Sequence, residues 1–250
     1  MDILLLESVG IIGFVAGVAS GLLGIGGGAI RIPLLNMMGF ALISAFGMNL
    51  LSIPVSSLVG ANSQKQNIDL RLGFYMILGG SIGTVLGTLI AFSIAASQLI
   101  LAAVFVLASL VSIIGLNLNH ISPNVSQHLR PSFTVLSFGS FFSNTLTGMR
   151  GGSEGSLFVP ILKTFNVEMH KAIATALFAA IFTSLVGILL YWSQEHLLLL
   201  QGITVMVGSG IGALLGSKVS IKTKPKWLEL LFSIVVIVLA TLPLLKILFT

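Results

Sequence analysis

The sequence has 250 residues, of which 56% are hydrophobic and 8% are charged, and its mean hydropathy is +1.10. Water-soluble domains carry about 25% charged residues, so this composition excludes a soluble domain and predicts an integral membrane protein. The absence of cysteine excludes disulfides and thiolate metal sites, and the four histidines lack a metal-ligand spacing. The sequence shows no catalytic constellation, so we expect neither an enzyme nor a bound cofactor.

The net charge of +5 does not indicate a nucleic-acid partner, because the Lys and Arg residues lie in short loops between apolar segments. Membrane topology is encoded in this way, so the predicted partner is the lipid bilayer. The start of the chain, Met1 to Glu7, has no basic segment and is not typical of a cleaved signal peptide.

Eight apolar segments follow one another along the chain, each near the length of roughly 20 residues that a membrane span needs. Glycine-rich breaks follow the first and the fifth segment, and each leads into a short apolar stretch, 28–39 and 155–166. Twelve residues at about 1.5 Å each reach about 18 Å of a roughly 30 Å hydrocarbon core, so we predict two half-helices. The eight segments are 8–25, 41–62, 72–95, 97–118, 132–149, 168–192, 200–218 and 228–249.

The two glycine-rich breaks are similar in sequence, which indicates an internal duplication. Pro33 aligns with Pro160, and we assign both prolines a structural role in the half-helices. The polar linker 121–130 separates the copies, so we predict a first membrane repeat, 1–120, and a second one, 131–250, in one compact membrane domain. Other aligned pairs are Gly24 with Gly151, Gly28 with Gly155 and Leu35 with Leu162.

Glycines recur at four-residue spacing within three of the apolar segments. Small residues at this spacing allow helix backbones to approach closely in lipid, so we interpret these glycines as packing positions. The three sets are Gly13, Gly17 and Gly21; Gly79, Gly83 and Gly87; and Gly208, Gly212 and Gly216.

The distribution of basic residues favours one of two topologies. If all eight segments cross the membrane, the Lys and Arg residues are divided between its two sides. If each glycine break is instead the tip of a re-entrant hairpin, 8–39 and 132–166, each half has three full crossings and the second half is inverted. The Lys and Arg residues outside the tips then share one side, apart from Lys246. The positive-inside rule therefore favours inverted repeats with both termini outside the cytoplasm.

The backbone of the tips, Gly24 to Gly28 and Gly151 to Gly155, predicts an internal binding site. Irregular backbone at membrane depth persists only where protein or a water-filled cavity satisfies its polar groups. Each tip opens a half-helix whose first N–H groups are unpaired and carry about half a positive charge. Two such ends near the midplane form an anion site.

Two arginines strengthen this interpretation. Arg31 lies one turn into the first half-helix and Arg150 precedes the second tip, where burial of a guanidinium costs about 2.5 to 3.5 kcal/mol. A bound anion with several oxygens matches the planar donors of Arg and offsets this cost. The predicted substrate-binding residues are Gly26, Gly27, Gly28, Arg31, Asn49, Arg150, Gly151, Gly152, Ser153, Glu154, Gly155, Ser156 and Thr175.

Alternatives remain open at both tips. In the structural alternative, Arg150 pairs with Glu154 and Arg31 extends to the membrane interface. Glu154 is the one acidic residue predicted at membrane depth, and it is either a counter-charge or a proton-coupling carboxylate.

The motif Gly17 to Leu35, GVASGLLGIGGGAIRIPLL, and its weaker copy Gly155 to Leu162, GSLFVPIL, resemble the sulfite exporter TauE/SafE family. The pattern Ala-x-x-Thr that ends at Thr175 also resembles that family. Ser153 and Glu154 stand where the family commonly keeps glycines, and the stretch from Ala45 to Asn49 departs from the family's Ala-x-x-Thr-Ser pattern.

This resemblance covers essentially the whole chain and implies a multi-pass transporter in the inner (plasma) membrane of a bacterium or archaeon. It implies sulfur-containing anions as substrates: sulfite, thiosulfate, or organic sulfonates and sulfoacids. It also implies about eight spans from a four-span duplication, which differs from the inverted topology above.

We therefore predict a secondary transporter with alternating access, in which the half-helix starts and the two arginines bind the anion. Because the sequence has no ATP-binding motif, a proton or sodium ion is the expected coupling partner, unless transport is simple facilitation. The alternatives are an anion channel or facilitator with the same site, and a carboxylate transporter. The expected assembly is a monomer or a homodimer.

Overall fold

The computed structural model describes residues 3–94, 97–121, 131–152 and 154–235. Regular structure in this part of the chain is helical throughout, so the predicted all-α class is confirmed. The helices are α1 (Ile3–Leu23), α2 (Gly28–Met37), α3 (Leu42–Ser63), α4 (Leu70–Ser93), α5 (Gln98–Ile121), α6 (Phe133–Met149), α7 (Gly155–Thr164), α8 (Met169–Ser193), α9 (Leu199–Lys222) and α10, described over 225–235.

Among the described residues, five helices are long and apolar enough to cross a membrane, namely α1, α3, α4, α8 and α9. The chain is therefore a multi-pass membrane protein, as its composition predicts. The predicted segment 97–118 corresponds to α5, which has 24 residues, and 132–149 corresponds to α6, which has 17. The segment 228–249 and the linker 121–130 lie largely outside the described residues.

The two predicted half-helices are α2 and α7, and each has 10 residues. They end at Met37 and Thr164, slightly before the ends predicted from the sequence. The reason is local: the chain turns through left-handed backbone at Gly39 and Asn166, with φ of 96° and 60°, which an α-helix cannot continue through. The first arm of the first hairpin is longer than predicted, because α1 begins at Ile3.

The long helices of the two halves pack in exchanged pairs, α1 against α9 and α4 against α6. A Cβ added at Gly17 would lie 2.7 Å from the Cα of Ser209, and one added at Gly79 would lie 2.8 Å from the Cα of Ser137. The predicted glycine sets therefore allow close backbone packing, as small residues do between helices in lipid. Contacting residue numbers rise together along both pairs, so the paired helices run parallel.

The helices that correspond in the two halves, α3 and α8, run in opposite directions. Gly60 near the end of α3 contacts Leu177 of α8, whereas Gly187 farther along α8 contacts Leu50 in the first half of α3. An inverted repeat requires this antiparallel arrangement, while a parallel repeat would align the two helices. The directions support the inverted duplication, which itself stays a prediction.

Although α1 and α3 are consecutive long helices, they run in the same direction. The side chain of Gln64, which follows α3, donates to the carbonyl of Gly21 near the end of α1 at 3.3 Å. Val9 and Met48, which lie nearer the starts of the two helices, pack in one apolar cluster. The chain must therefore return between them through α2, which supports the predicted re-entrant hairpin.

Candidate functional site

The two glycine-rich tips meet in the interior of the protein. Gly24 and Gly151 have φ of 72° and 74°, in the left-handed region that glycine adopts without steric cost. A Cβ added at Gly155 would collide with the backbone carbonyl of Gly24. The start of α7 is thus in direct backbone contact with the first tip. Positive φ angles are also found at Gly26, Gly27 and Gly152.

Arg31 is fully buried in α2, with 0% of its surface exposed. Its Nη1 donates to Oδ1 of Asn49 at 2.5 Å and makes longer contacts of 3.5 Å with the carbonyls of Asn49 and Gly26. Its Nε and Nη2 have no hydrogen-bond partner among the described residues. The side chain does not extend to the membrane interface, so that alternative does not apply. Unsatisfied donors on a buried guanidinium are costly, and an anion would satisfy them.

Asn49 connects the first half-helix to the second tip. Its Oδ1 accepts from Arg31, and its Nδ2 donates to the carbonyl of Gly151 at 2.7 Å. The predicted binding residue Asn49 therefore uses both ends of its amide on protein groups. In this arrangement the amide oxygen orients the guanidinium of Arg31, and one N–H of the amide holds the second tip.

Arg150 and Glu154 form a second buried group of charges, and each is 1% exposed. Nη2 of Arg150 donates to the hydroxyl of Ser156, and Arg150 also interacts electrostatically with Glu154. The Glu154 carboxylate lies beside the second tip, since a Cβ added at Gly152 would be 3.4 Å from its Oε1. The arrangement fits the alternative in which Glu154 is a counter-charge for Arg150.

Each half-helix contains its predicted structural proline, Pro33 in α2 and Pro160 in α7. Proline has no amide hydrogen, so the carbonyl four residues earlier loses its helical donor. In α7 this carbonyl belongs to Ser156, and the hydroxyl of Ser112 in α5 donates to it at 2.6 Å. Ser112 thereby supports the start of the second half-helix. It was missed from the sequence, although Pro160 signals that some donor must satisfy the freed carbonyl.

The remaining predicted residues are placed as follows. Gly28 and Gly155 begin α2 and α7, and the N-cap residues before them, Gly27 and Glu154, make no side-chain cap hydrogen bond. The hydroxyl of Thr175 accepts a hydrogen bond of 2.9 Å from the backbone amide of Asp69, at the start of α4. Ser153 lies outside the described residues. No group of His, Asp and Glu among the described residues is arranged to hold a metal ion.

An ion pair between the two halves lies where α4 and α8 begin. Asp69 pairs with Lys171 at 2.8 Å, and its Oδ1 accepts from the amide of Leu72 at 3.1 Å. Burial alone would raise the pKa of Asp69, but the hydrogen bonds and the charge of Lys171 outweigh this effect and hold the pKa below its usual value. A second ion pair joins Lys163 of α7 to Glu229 of α10 at 2.7 Å.

Comparison with known proteins identifies the class of this chain. A family model described as sulfite exporter TauE/SafE matches residues 9–242, which include both glycine tips. The chain is also 25% identical over 213 residues to the "Probable membrane transporter protein YdhB" of Bacillus subtilis (strain 168), a match that covers 82% of this chain and 86% of that protein. No solved structure matches the chain.

Proposed function

The chain belongs to the sulfite exporter TauE/SafE family of membrane transporters, and we propose that it is a secondary transporter of small sulfur-containing anions. The proposed substrate class comprises sulfite, thiosulfate, and organic sulfonates or sulfoacids. The proposed location is the inner membrane of a bacterium or archaeon, with a proton or sodium gradient, or the substrate gradient itself, as the driving force.

The buried Arg31 carries this proposal. Its Nε and Nη2 are unsatisfied by the described residues, and Nη2 lies beside Gly27, the residue that precedes α2. A guanidinium presents donors in a planar fork that matches two oxygens of one anion. The start of α2 at Gly28 places the positive end of the helix dipole in the same region. A sulfite or sulfonate group supplies several oxygens and a negative charge, which together offset the cost of burying Arg31.

The way the two tips meet supports a mechanism of alternating access. The second tip contacts the first through the close approach of Gly155 to Gly24 and through the hydrogen bond from Asn49 to the Gly151 carbonyl. We propose that the halves rock about this junction, so that the anion at Arg31 is exposed to one side of the membrane at a time. The contacts at the junction separate or re-form as the halves move.

The proposal is tested with the full-length protein in proteoliposomes. We expect saturable uptake of radiolabelled sulfite, accelerated when the vesicles are preloaded with unlabelled sulfite. Arg31→Gln should abolish uptake, whereas Arg71→Gln, which removes an exposed guanidinium, should retain it. Uptake that does not saturate and shows no acceleration by preloading would identify a channel. Wild-type uptake by a correctly folded Arg31→Gln protein would remove Arg31 from the site.

The topology is tested by introducing single cysteines, which is direct because the native chain contains none. Lys65 follows α3 and Lys222 ends α9, while Gln194 follows α8, and all three are exposed. We expect Lys65→Cys and Lys222→Cys to react with an impermeant thiol reagent from the cytoplasmic side, and Gln194→Cys from the opposite side. Labelling of Lys65→Cys and Lys222→Cys from opposite sides contradicts the proposed arrangement.

A further inference from the structure

The charges buried in the interior are few and can be counted. Among the described residues, the charged side chains in the buried class are Arg31, Arg150 and Glu154. All three lie at the tips, where Arg31 is linked through Asn49 to the Gly151 carbonyl and Glu154 lies beside Gly152. Tyr191 of α8 is the other fully buried titratable side chain of the described chain, and it is neutral at physiological pH. The tips therefore hold two positive charges and one negative charge.

The buried carboxylate of Glu154 interacts with Arg150 and not with Arg31. Arg150 interacts electrostatically with Glu154, which lies in the second tip. Arg31 contacts only neutral groups, Asn49 and the Gly26 carbonyl, and no carboxylate of the described residues pairs with it. The pair formed by Arg150 and Glu154 is neutral as a whole, so one positive charge remains at the site, on Arg31.

Resting on the proposed function, we propose that this site selects anions with one negative charge, and that Glu154 determines this selectivity. A monoanion such as a sulfonate or hydrogen sulfite neutralises the single excess charge. A dianion such as thiosulfate leaves the buried site with a net charge of −1, and an uncompensated charge at membrane depth is costly. Glu154 thus acts against dianions by repulsion, which is a means of specificity separate from attraction to Arg31.

The proposal gives a specific expectation for removal of the carboxylate. Glu154→Gln raises the charge of the tips by one unit, which favours a dianion more than a monoanion. The double variant Arg150→Gln/Glu154→Gln removes both members of the pair and leaves the charge of the site at its native value. The preference for a monoanion should therefore weaken in the single variant and persist in the double variant. A merely structural role of Glu154 does not predict this difference.

The experiment measures how methanesulfonate, a monoanion, and thiosulfate, a dianion, compete with radiolabelled sulfite uptake in proteoliposomes at constant pH and ionic strength. In the native protein, methanesulfonate should compete at least about tenfold more strongly than thiosulfate, and Glu154→Gln should shift this ratio toward thiosulfate by about tenfold or more. Glu168→Gln, which removes an exposed carboxylate at the start of α8, should leave the ratio at its native value.

The outcomes separate the two proposals. Two outcomes overturn the inference and leave the proposed function intact. In the first, the native protein takes up sulfite, but thiosulfate competes more strongly than methanesulfonate. In the second, Glu154→Gln leaves the ratio of competition by the two anions unchanged. Absence of sulfite uptake by the folded native protein overturns the proposed function and the inference with it. If Glu154→Gln does not fold, the double variant Arg150→Gln/Glu154→Gln tests the inference. Methanesulfonate should still compete more strongly than thiosulfate in this variant, and the reverse order overturns the inference.

Discussion

The two glycine tips have the same backbone plan and different chemistry. Both place glycines in left-handed backbone, and both lead into a half-helix of 10 residues that contains a proline. The first tip presents Arg31, which is held by a neutral amide. The second presents Arg150, which is held by the Ser156 hydroxyl and interacts with Glu154. The two tips are therefore similar in backbone, while the charged side chains that they carry differ.

Arg31 and Arg150 are not equivalent positions in the two copies. When Pro33 is aligned with Pro160, Arg31 falls opposite Phe158, and Arg150 falls opposite Leu23. In this alignment neither arginine has a counterpart in the other half. In the proposed site, Arg31 supplies the charge for the ligand, while the charge of Arg150 is compensated by Glu154.

The largest effect is expected when the first tip is given the carboxylate that it lacks. Asn49→Asp places a negative charge beside Arg31, and a pair of charges at about 4 Å is worth about 4 kcal/mol at an effective dielectric constant of 20. The site loses its excess positive charge, so sulfite uptake in proteoliposomes should fall by more than about a hundredfold. Asn36→Asp, in the partly exposed last turn of α2, is the control and should transport sulfite. Uptake by Asn49→Asp at the native rate would show that the excess charge is unimportant.

A second prediction concerns the contact between the tips. Gly155→Ala forces a Cβ against the Gly24 carbonyl, and overpacking of this kind costs about 1 to 3 kcal/mol. We expect a lower melting temperature for the detergent-solubilised protein and reduced transport. Gly139→Ala in α6 is the matched control, because its added Cβ meets only one side-chain atom, at 4.0 Å. This control substitution should not lower the melting temperature. Equal melting temperatures in the two variants contradict the close approach of the tips.

A third prediction concerns the support of the second half-helix. Ser112→Ala removes the donor to the Ser156 carbonyl, and a buried acceptor left unsatisfied costs about 1 to 3 kcal/mol. Pro160→Ala restores an amide hydrogen for the same carbonyl. The effects of the two substitutions on thermal stability should therefore be non-additive, with Ser112→Ala less harmful when Pro160 is replaced. Additive effects would show that Ser112 acts elsewhere.

The smallest effect is expected far from the tips, at the ion pair between Asp69 and Lys171. Asp69→Asn should destabilise the protein by less than about 1 kcal/mol, because the ion pair is partly exposed to solvent, which screens its charges. Folding lowers the pKa of Asp69, so the ionised carboxylate stabilises the protein above its unfolded pKa of about 3.9, and this contribution disappears as the pH falls through the lower folded-state pKa. The difference in melting temperature between native and variant protein should therefore be present at neutral pH and vanish in acid. A difference that grows in acid contradicts this assignment.

The sequence was sufficient to predict the membrane class, the helical fold and the position of both tips. Apolar length and glycine spacing are local signals, and each predicted half-helix appears within two residues of its expected end. The burial of Arg31 was also predictable, because an arginine between a glycine tip and a proline has no nearby loop to occupy.

The partners of these residues were not predictable. Asn49 is separated from Gly151 by 102 positions in sequence, and Ser112 is 44 positions from Ser156, so only the packing of helices brings them together. Asn49 has protein partners on both ends of its amide, and its role as a binding residue stays a prediction. The pairing of Thr175 with the Asp69 amide likewise depends on how α8 lies against α4.

The exchanged packing of α1 with α9 and of α4 with α6 has a consequence for biosynthesis. The glycine surface of α1 finds its partner only after residues 199–222 have been made, so α1 leaves the ribosome long before the helix against which it packs. Neither half contains a complete set of packed helices. A chain released from the ribosome after the first half therefore presents unfilled grooves to lipid, and we expect cellular quality control to degrade it.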